Sequence, residues 1–215
     1  MVRRLFIFAF FTIILSPFIQ GQTASDKADM RFQEIKNLLD YRFIGGFYTF
    51  ESMFNKTVKY PEEAKQKCVI GITILSFQVD CNGNIKDIEI RNPLGYGIDK
   101  EVTKFIKSTK GHWNSCQNNR FTHFSIPIQF TMEGTKTDSI NAAIVFEGEN
   151  PGFVCYSDNY FLKKGIEALK KKKGRKAKFY FETLIRRNPF DANYYSLLKQ
   201  SIGYTKKKKS KSKKQ

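Results

Sequence analysis

The stretch GITILSFQVDCNGNIKDIEIR, residues 71–91, decides the fold of this chain. Residues 72–79 are rich in β-branched and aromatic side chains, which favour a strand. The turn Asp80-Cys81-Asn82-Gly83 follows, and an Asn-Gly pair between two apolar runs is a strong hairpin signal. Residues 85–91 are predicted to form the returning strand. The stretch therefore predicts an antiparallel hairpin.

The residues after the hairpin predict a helix and a third strand. Gly95 and Gly97 interrupt the chain, and Asp99 can cap a helix. That helix has one apolar stripe, formed by Val102, Phe105 and Ile106. The third strand has one apolar face, formed by Phe124, Ile126, Ile128 and Phe130.

Residues 43–132 resemble the C-terminal domain of TonB, the energy transducer of Gram-negative envelopes. The residues that carry the resemblance are Gly45, Gly46, Tyr60, Pro61, Gly71, Gly83, Trp113 and the closing run Ile126-Pro127-Ile128-Gln129-Phe130. The predicted class is α+β: a three-stranded antiparallel or mixed sheet in the order β-β-α-β, with helices on one face. We expect Tyr60, Pro61 and Trp113 to be packing residues.

The third strand is predicted to be an edge strand that binds a peptide. Pro127 agrees with an edge, because proline has no N–H to donate to a ladder. TonB domains hold a short motif of outer-membrane transporters by strand addition, and the resemblance implies the same here. The implied binding residues are Ser125, Ile126, Pro127, Ile128, Gln129, Phe130 and Thr131. The alternative is an edge that is solvated or covered by the C-terminal segment.

The first strand has apolar side chains in both alternating positions, and thus on both faces of the sheet. Leu75, Phe77 and Val79 alternate and should face the helices. Ile72 and Ile74 have the opposite phase, so they are predicted to lie on the other sheet face unless a bulge intervenes.

Residues 1–22 are predicted to be a secretory signal peptide. Arg3 and Arg4 precede an apolar run over residues 5–15, and cleavage is expected near Gly21 and Gln22. The alternative is a retained membrane anchor, although the run is shorter than a typical span. Export predicts a periplasmic location, with membrane association left open.

The four cysteines fit an oxidising compartment. A Cys81–Cys116 disulfide is predicted, because the end of the first strand and the start of an antiparallel third strand should be neighbours. Cys155 is then the remaining partner for Cys68, and that pairing has weaker support. His112 and Cys116 lack further ligands at metal-site spacing. We therefore expect no metal, no cofactor and no catalytic constellation, and thus no enzyme.

The C-terminal part is basic and helical. Residues 1–157 hold 18 Lys and Arg against 16 Asp and Glu, whereas residues 158–215 hold 19 against 4. Those balances, +2 and +15, make up the net charge of +17. Residues 159–189 resemble one tetratricopeptide repeat, in the placing of Phe161, Gly165, Ala177, Phe181 and Pro189. The alternative is a generic helical hairpin. A single repeat must dock on the first domain, pair with another chain or be marginal.

The predicted organisation has six parts: 1–22 signal peptide, 23–42 lead-in, 43–133 TonB-like domain, 134–157 linker, 158–204 repeat-like helices and 205–215 disordered lysine-rich tail. The basic clusters predict attachment to an anionic envelope surface, with a solvated, solubilising tail as the alternative, and export argues against nucleic acid. The preferred hypothesis is an exported module that binds an extended segment of an outer-membrane transporter or another envelope protein. The alternative is an energy transducer, which requires an inner-membrane anchor and a long proline-rich spacer; residues 23–41 contain no proline.

Overall fold

The computed structural model describes residues 23–116, 121–137 and 141–212, with side chains described as far as residue 204. The predicted signal peptide, with Gly21 and Gln22, lies outside these ranges. Within them the elements are α1 (Ala24–Arg42), α2 (Gly46–Thr57), α3 (Glu62–Gln66), β1 (Gly71–Val79), β2 (Ile85–Arg91), α4 (Ile98–Ser108), β3 (His123–Met132), β4 (Ile144–Gly148), α5 (Asp158–Lys170), α6 (Gly174–Arg187) and α7 (Ala192–Ser212).

The strands form one mixed sheet in the order β2-β1-β3-β4. Strand β1 pairs antiparallel with β2 and with β3, whereas β3 and β4 are parallel. The predicted α+β class is therefore confirmed, as is the antiparallel arrangement of the first and third strands. The sheet has four strands among the described residues, one more than the sequence predicted.

One face of the sheet carries the main hydrophobic core. Leu75 lies opposite Ile126 and Phe77 opposite Phe124 in the continuous β1–β3 register. Helices α2 and α4 cover this face, and Phe50 and Phe54 of α2 make edge-to-face contacts with Phe105 of α4. Burial of these large side chains is the main favourable contribution to folding of the domain.

The opposite face of the sheet is also covered, by one of the C-terminal helices. Ile72 and Ile74 lie in register with Gln129 and Pro127, in the phase opposite to Leu75, as predicted. Ile72 is fully buried, and α6 packs against β1. The Asn92 side chain donates to the Arg186 carbonyl at 2.9 Å. The C-terminal helices therefore dock on the sheet, because its second face also needs apolar cover.

The predicted lead-in is a folded helix. The Thr23 side chain accepts from the Asp26 N–H and the Asp26 carboxylate accepts from the Thr23 N–H, a capping box that starts α1. Ile35 and Leu39 are buried in the main core. Residues 24–42 are therefore part of the domain.

A buried arginine at the end of α1 holds the neighbouring loops of the domain by hydrogen bonds. The Arg42 guanidinium donates to the carbonyls of Asp80 at 2.9 Å, Phe121 at 2.7 Å and Asn114 at 3.2 Å. Burial lowers the pKa of Arg42. The predicted Cys81–Cys116 disulfide lies beside these contacts, with a Cα–Cα distance of 4.5 Å. The hairpin turn and both flanks of the loop before β3 are thus held to one helix end.

The predicted linker, residues 134–157, is wrong as a linker because it supplies β4 and a second disulfide. Cys155 pairs with Cys68, with a Cα–Cα distance of 5.7 Å. The cross-link joins the segment after β4 to the segment just before β1. A disulfide over 87 residues stabilises the fold mainly by restricting the unfolded chain.

The C-terminal helices pack in sequence, α5 on α6 and α6 on α7. Their small core contains Ala168, Ala177, Phe181 and Leu184, all buried. Three of the five residues that suggested a repeat lie at the α5–α6 crossing: Gly165, Ala177 and Phe181. Helix α7 continues to Ser212, so the backbone of residues 205–212 is helical where the sequence predicted disorder. Lysine is a good helix former, and neither glycine nor proline interrupts this stretch.

The α5–α6 crossing predicts a sharp difference between two helical glycines. A Cβ added at Gly165 would lie 2.5 Å from Phe181 Cε1, whereas one at Gly203 would meet nothing within 4 Å. Gly165→Ala should lower the free energy of unfolding by about 1–3 kcal/mol through overpacking. Gly203→Ala should be neutral or stabilising, because alanine is the better helix former. Guanidinium denaturation measures both, and equal effects would contradict the close crossing.

Candidate peptide-binding edge

Strand β3 is an interior strand, which corrects the prediction that it forms an open edge. Its residues from His123 to Phe130 pair with β1, and its residues from Ile128 to Met132 pair with β4 on the other side. Ile126, Ile128 and Phe130 are fully buried. A peptide cannot add to a strand that is already paired on both sides. The strand that covers this side is β4, which lies in the predicted linker and not in the C-terminal segment that was considered as cover from the sequence.

Pro127 is compatible with this interior place because of its position along β3. The Ala143 N–H donates to the Pro127 carbonyl at 2.8 Å, so the main-chain polar groups of Pro127 point towards β4. The first residue pair of β3 and β4 is Ile128 with Ile144. The missing N–H of Pro127 therefore falls just before the ladder begins, where no partner is lost.

The side chains on the second face of β3 fix the connection to β4. Thr137 contacts two of them: its hydroxyl accepts from Gln129 Nε2 at 3.2 Å and lies 3.1 Å from Thr131 Oγ1. Gln129 and Thr131 are buried. Their role in the structure is thus to hold the return segment, whereas the sequence had predicted that they bind a peptide.

Only the first part of the predicted segment lacks a strand neighbour among the described residues. Ser125 is exposed and, like Pro127, directs its main-chain groups away from β1. It borders a groove between β3 and α1, whose other lining residues include Arg31, Leu38 and Phe190. The Arg31 guanidinium lies over the Phe190 ring at 3.9 Å, which narrows this groove.

The sheet has two outer strands, and β2 is poorly suited to strand addition. Its exposed residues are Lys86, Asp87, Glu89 and Arg91. Asp87 has a φ of 50°, which interrupts the extended backbone. The β1–β2 register also shifts between Ser76 and Gln78. Charges and irregular backbone are features that protect natural edges from pairing.

Strand β4 is the regular, open edge of the sheet. Among the described elements, only β3 packs extensively against it. The Glu133 N–H donates to the Gly148 carbonyl at 2.9 Å, and Val145 lies opposite Gln129. Since Gln129 directs its main-chain groups towards β4, the parallel register turns those of Val145 and Glu147 outwards. Val145 is 43% exposed, which adds an apolar side chain to the edge.

Strand β4 is also firmly seated. Ile144 is fully buried, and the Phe146 ring lies 5.6 Å from Phe130 and 6.3 Å from Tyr60. A Cβ added at Gly148 would lie 2.4 Å from the Tyr60 ring, so Tyr60 fits closely against the end of the strand. The Tyr60 hydroxyl donates to the Val69 carbonyl, and burial raises the pKa of Tyr60. Strand β4 was not predicted, and its signal in the sequence is the short apolar run Ala142-Ala143-Ile144-Val145-Phe146.

The two glycines of the lead-in that carried the resemblance form a structural turn. Gly45 and Gly46 have φ of 84° and 72° between α1 and α2. Asp40 of α1 accepts from the Phe47 N–H at 2.8 Å across this turn. A Cβ on Gly45 would lie 2.4 Å from the Thr49 hydroxyl.

The remaining residues of the resemblance also support packing. Trp113 donates to the Thr109 hydroxyl at 3.0 Å and packs against four phenylalanine rings: Phe43, Phe50, Phe77 and Phe124. Gly83, with a φ of 81°, allows the hairpin turn to pass the Trp113 backbone. Pro61 caps α3, and Gly71 begins β1 where a Cβ would lie 2.5 Å from the Arg186 carbonyl.

One comparison with known proteins found a match, and it lies in the TonB-like domain. Residues 56–132 match the family model described as Gram-negative bacterial TonB protein C-terminal. The match supports a TonB C-terminal domain over these residues, which make up less than half of the chain. It ends before β4 and the helices that follow. No curated protein and no solved structure matches the chain.

The matched family consists of envelope proteins of Gram-negative bacteria. In the part of the chain that the structure describes, every helix is too short or too polar to span a bilayer.

Two adjacent β-branched residues of β4 test how the strand is seated. Ile144 is fully buried and Val145 is 43% exposed. Ile144→Ala should lower the free energy of unfolding by about 2–5 kcal/mol, the usual loss for a buried isoleucine. It should also speed amide hydrogen exchange in residues 144–148. Val145→Ala serves as the control and should cost less than about 1 kcal/mol. Similar losses for both variants would show that β4 is not packed as described.

Proposed function

We propose that this protein is a non-enzymatic module of the Gram-negative envelope that binds an extended segment of an envelope protein along β4. The partner class that fits best is an outer-membrane transporter, since the family match points to outer-membrane interactions. The observation that carries the proposal is the outward N–H and C=O groups of Val145 and Glu147 on a regular edge that has no further strand beside it among the described residues. Strand addition uses such main-chain groups for affinity.

Addition to β4 is favoured over replacement of β4. A replacing peptide would have to expose the partly buried Phe146 and the fully buried Ile144, and burial of a side chain like Ile144 contributes roughly 1.5–3 kcal/mol. The Cys68–Cys155 disulfide keeps the segment that follows β4 attached to the domain. The resident strand therefore extends the sheet by one strand, and the binding edge moves outwards from β3 to β4.

The alternative is a TonB-type energy transducer, and the structure gives it less support. A transducer needs a spacer that crosses the periplasm. Here residues 24–42 form α1, whose Ile35 and Leu39 are buried in the domain. Because this 19-residue helix packs on its own domain, it cannot act as a spacer across the periplasm. We therefore propose a periplasmic protein exported by the segment over residues 1–22; N-terminal sequencing of the exported protein tests that cleavage.

Site-specific crosslinking tests which edge binds. A photo-reactive amino acid is placed at Val145 on β4 in one variant and at Asp87 on β2 in a matched variant; both positions are exposed. The proteins are illuminated with detergent-solubilised outer-membrane proteins from a Gram-negative cell, and crosslinked partners are identified by mass spectrometry. We expect a partner at position 145 and none at 87. Crosslinks at 87 alone would overturn the proposed edge.

Proline substitution tests the role of the main chain. Val145→Pro removes an outward N–H without removing a β3–β4 hydrogen bond, so the domain should fold and lose at least tenfold in affinity for the crosslinked partner. Val145→Thr keeps the N–H and the branched shape, and should bind normally. Unchanged binding by a folded Val145→Pro variant would contradict strand addition. Tighter binding by Cys155→Ala, together with faster exchange in β4, would instead indicate replacement of β4.

A further inference from the structure

The segment after β4 presents an apolar tip next to the second disulfide. Cys155 is buried and bonded to Cys68, while its neighbours Val154 and Tyr156 are 78% and 58% exposed. Phe153 is 46% exposed. The disulfide therefore anchors a short loop whose apolar side chains face solvent, whereas side chains of this type are usually buried.

An aromatic row continues from this tip across two helices. Tyr156 stacks on Tyr160 of α5 with ring centroids 4.0 Å apart, and Tyr160 lies 5.5 Å from Phe161. Phe161 contacts Tyr180 of α6 at 6.4 Å. The row ends at Phe179, which lies 5.5 Å from Tyr180 and is 61% exposed. We call the residues Phe153, Val154, Tyr156, Tyr160, Phe179 and Tyr180 the aromatic surface.

Lysines flank this surface. The Lys164 ammonium lies 5.8 Å from the Tyr160 ring. Lys163 is exposed one turn after Tyr160, and Lys176 is exposed one turn before Tyr180, so both lie on the sides of the helices that carry the row. The nearby acids are already paired: Glu167 with Lys164 at 3.7 Å and Asp158 with Arg187 at 2.7 Å.

We propose that the aromatic surface binds the headgroup layer of an anionic phospholipid bilayer. Aromatic and apolar side chains beside lysines are typical of segments that lie in a membrane interface. Residues 158–215 carry a balance of +15, which complements an anionic surface. Each lysine near such a surface contributes about 1 kcal/mol, or about fivefold in affinity. The proposal is independent of peptide binding at β4 and does not depend on the lysine-rich tail alone.

Vesicle binding tests the aromatic part. The full chain, purified from the periplasm of an expressing cell, is sedimented with phosphatidylglycerol–phosphatidylcholine vesicles and with phosphatidylcholine vesicles. The Val154→Ser/Phe179→Ser variant should bind anionic vesicles at least tenfold more weakly. Tyr48→Ser is the control, because Tyr48 is 66% exposed on α2, and it should bind normally. Equal binding by the two variants would overturn the proposal.

Charge variants distinguish binding at the aromatic surface from nonspecific attraction of the basic protein to anionic vesicles. Lys163→Gln/Lys176→Gln should weaken anionic binding by about 25-fold, from two fivefold losses. Lys56→Gln/Lys110→Gln removes the same charge from exposed positions of the first domain and should have a smaller effect. Deletion of residues 205–215 should weaken binding to anionic vesicles. In the shortened chain, Val154→Ser/Phe179→Ser should still reduce binding by the same factor as in the full chain. If these substitutions have no effect in the shortened chain, the role of the aromatic surface is overturned.

Two further measurements test whether the aromatic surface binds something other than a bilayer. If the serine variant abolishes self-association in sedimentation velocity and leaves vesicle binding unchanged, the surface is an interface between two copies, and the bilayer proposal is wrong. Tighter binding to a single-stranded oligonucleotide than to anionic vesicles at the same salt concentration would also overturn it.

Discussion

The parallel pairing of β4 with β3 is the constraint on which the functional surfaces depend. An interior strand must have its main-chain groups paired on both sides, and β1 alone satisfies only one side of β3. Strand β4 satisfies the other side over five residue pairs and buries Ile144. This pairing closes the edge where a TonB-like domain is expected to receive a peptide, and it creates a new edge one strand further out.

The same pairing determines where the rest of the chain lies. After β4 the chain returns to the start of β1, where Cys155 is bonded to Cys68. Helix α5 begins three residues later, at Asp158, and α6 then packs on the second face of the sheet. The proposed peptide-binding edge and the aromatic surface therefore follow each other along the chain, because the cross-linked segment after β4 carries Phe153, Val154 and Tyr156. The two proposed activities would use different chemistry: main-chain hydrogen bonds to a partner at β4 and interfacial contacts with a bilayer at the aromatic surface.

The other end of the domain is held by Arg42. Its guanidinium binds three carbonyls from two loops, next to the Cys81–Cys116 disulfide. A buried cation with several hydrogen bonds is costly to leave partly paired, so α1 is an integral part of the domain. This explains why residues 24–42 form a packed helix instead of a flexible lead-in.

The sequence by itself determined the local elements and their faces. The Asn82-Gly83 turn defined the hairpin, the phases of Leu75 and Ile72 assigned the two sheet faces, and Cys81 was paired correctly with Cys116. Turn chemistry and side-chain alternation are local, so they can be read from neighbouring residues. Only the tertiary structure decided that β4 lies beside β3. The neighbour of β3 is chosen by long-range contacts of Ile144 and Phe146 with the core, and a run of five residues has no periodicity that reports such contacts.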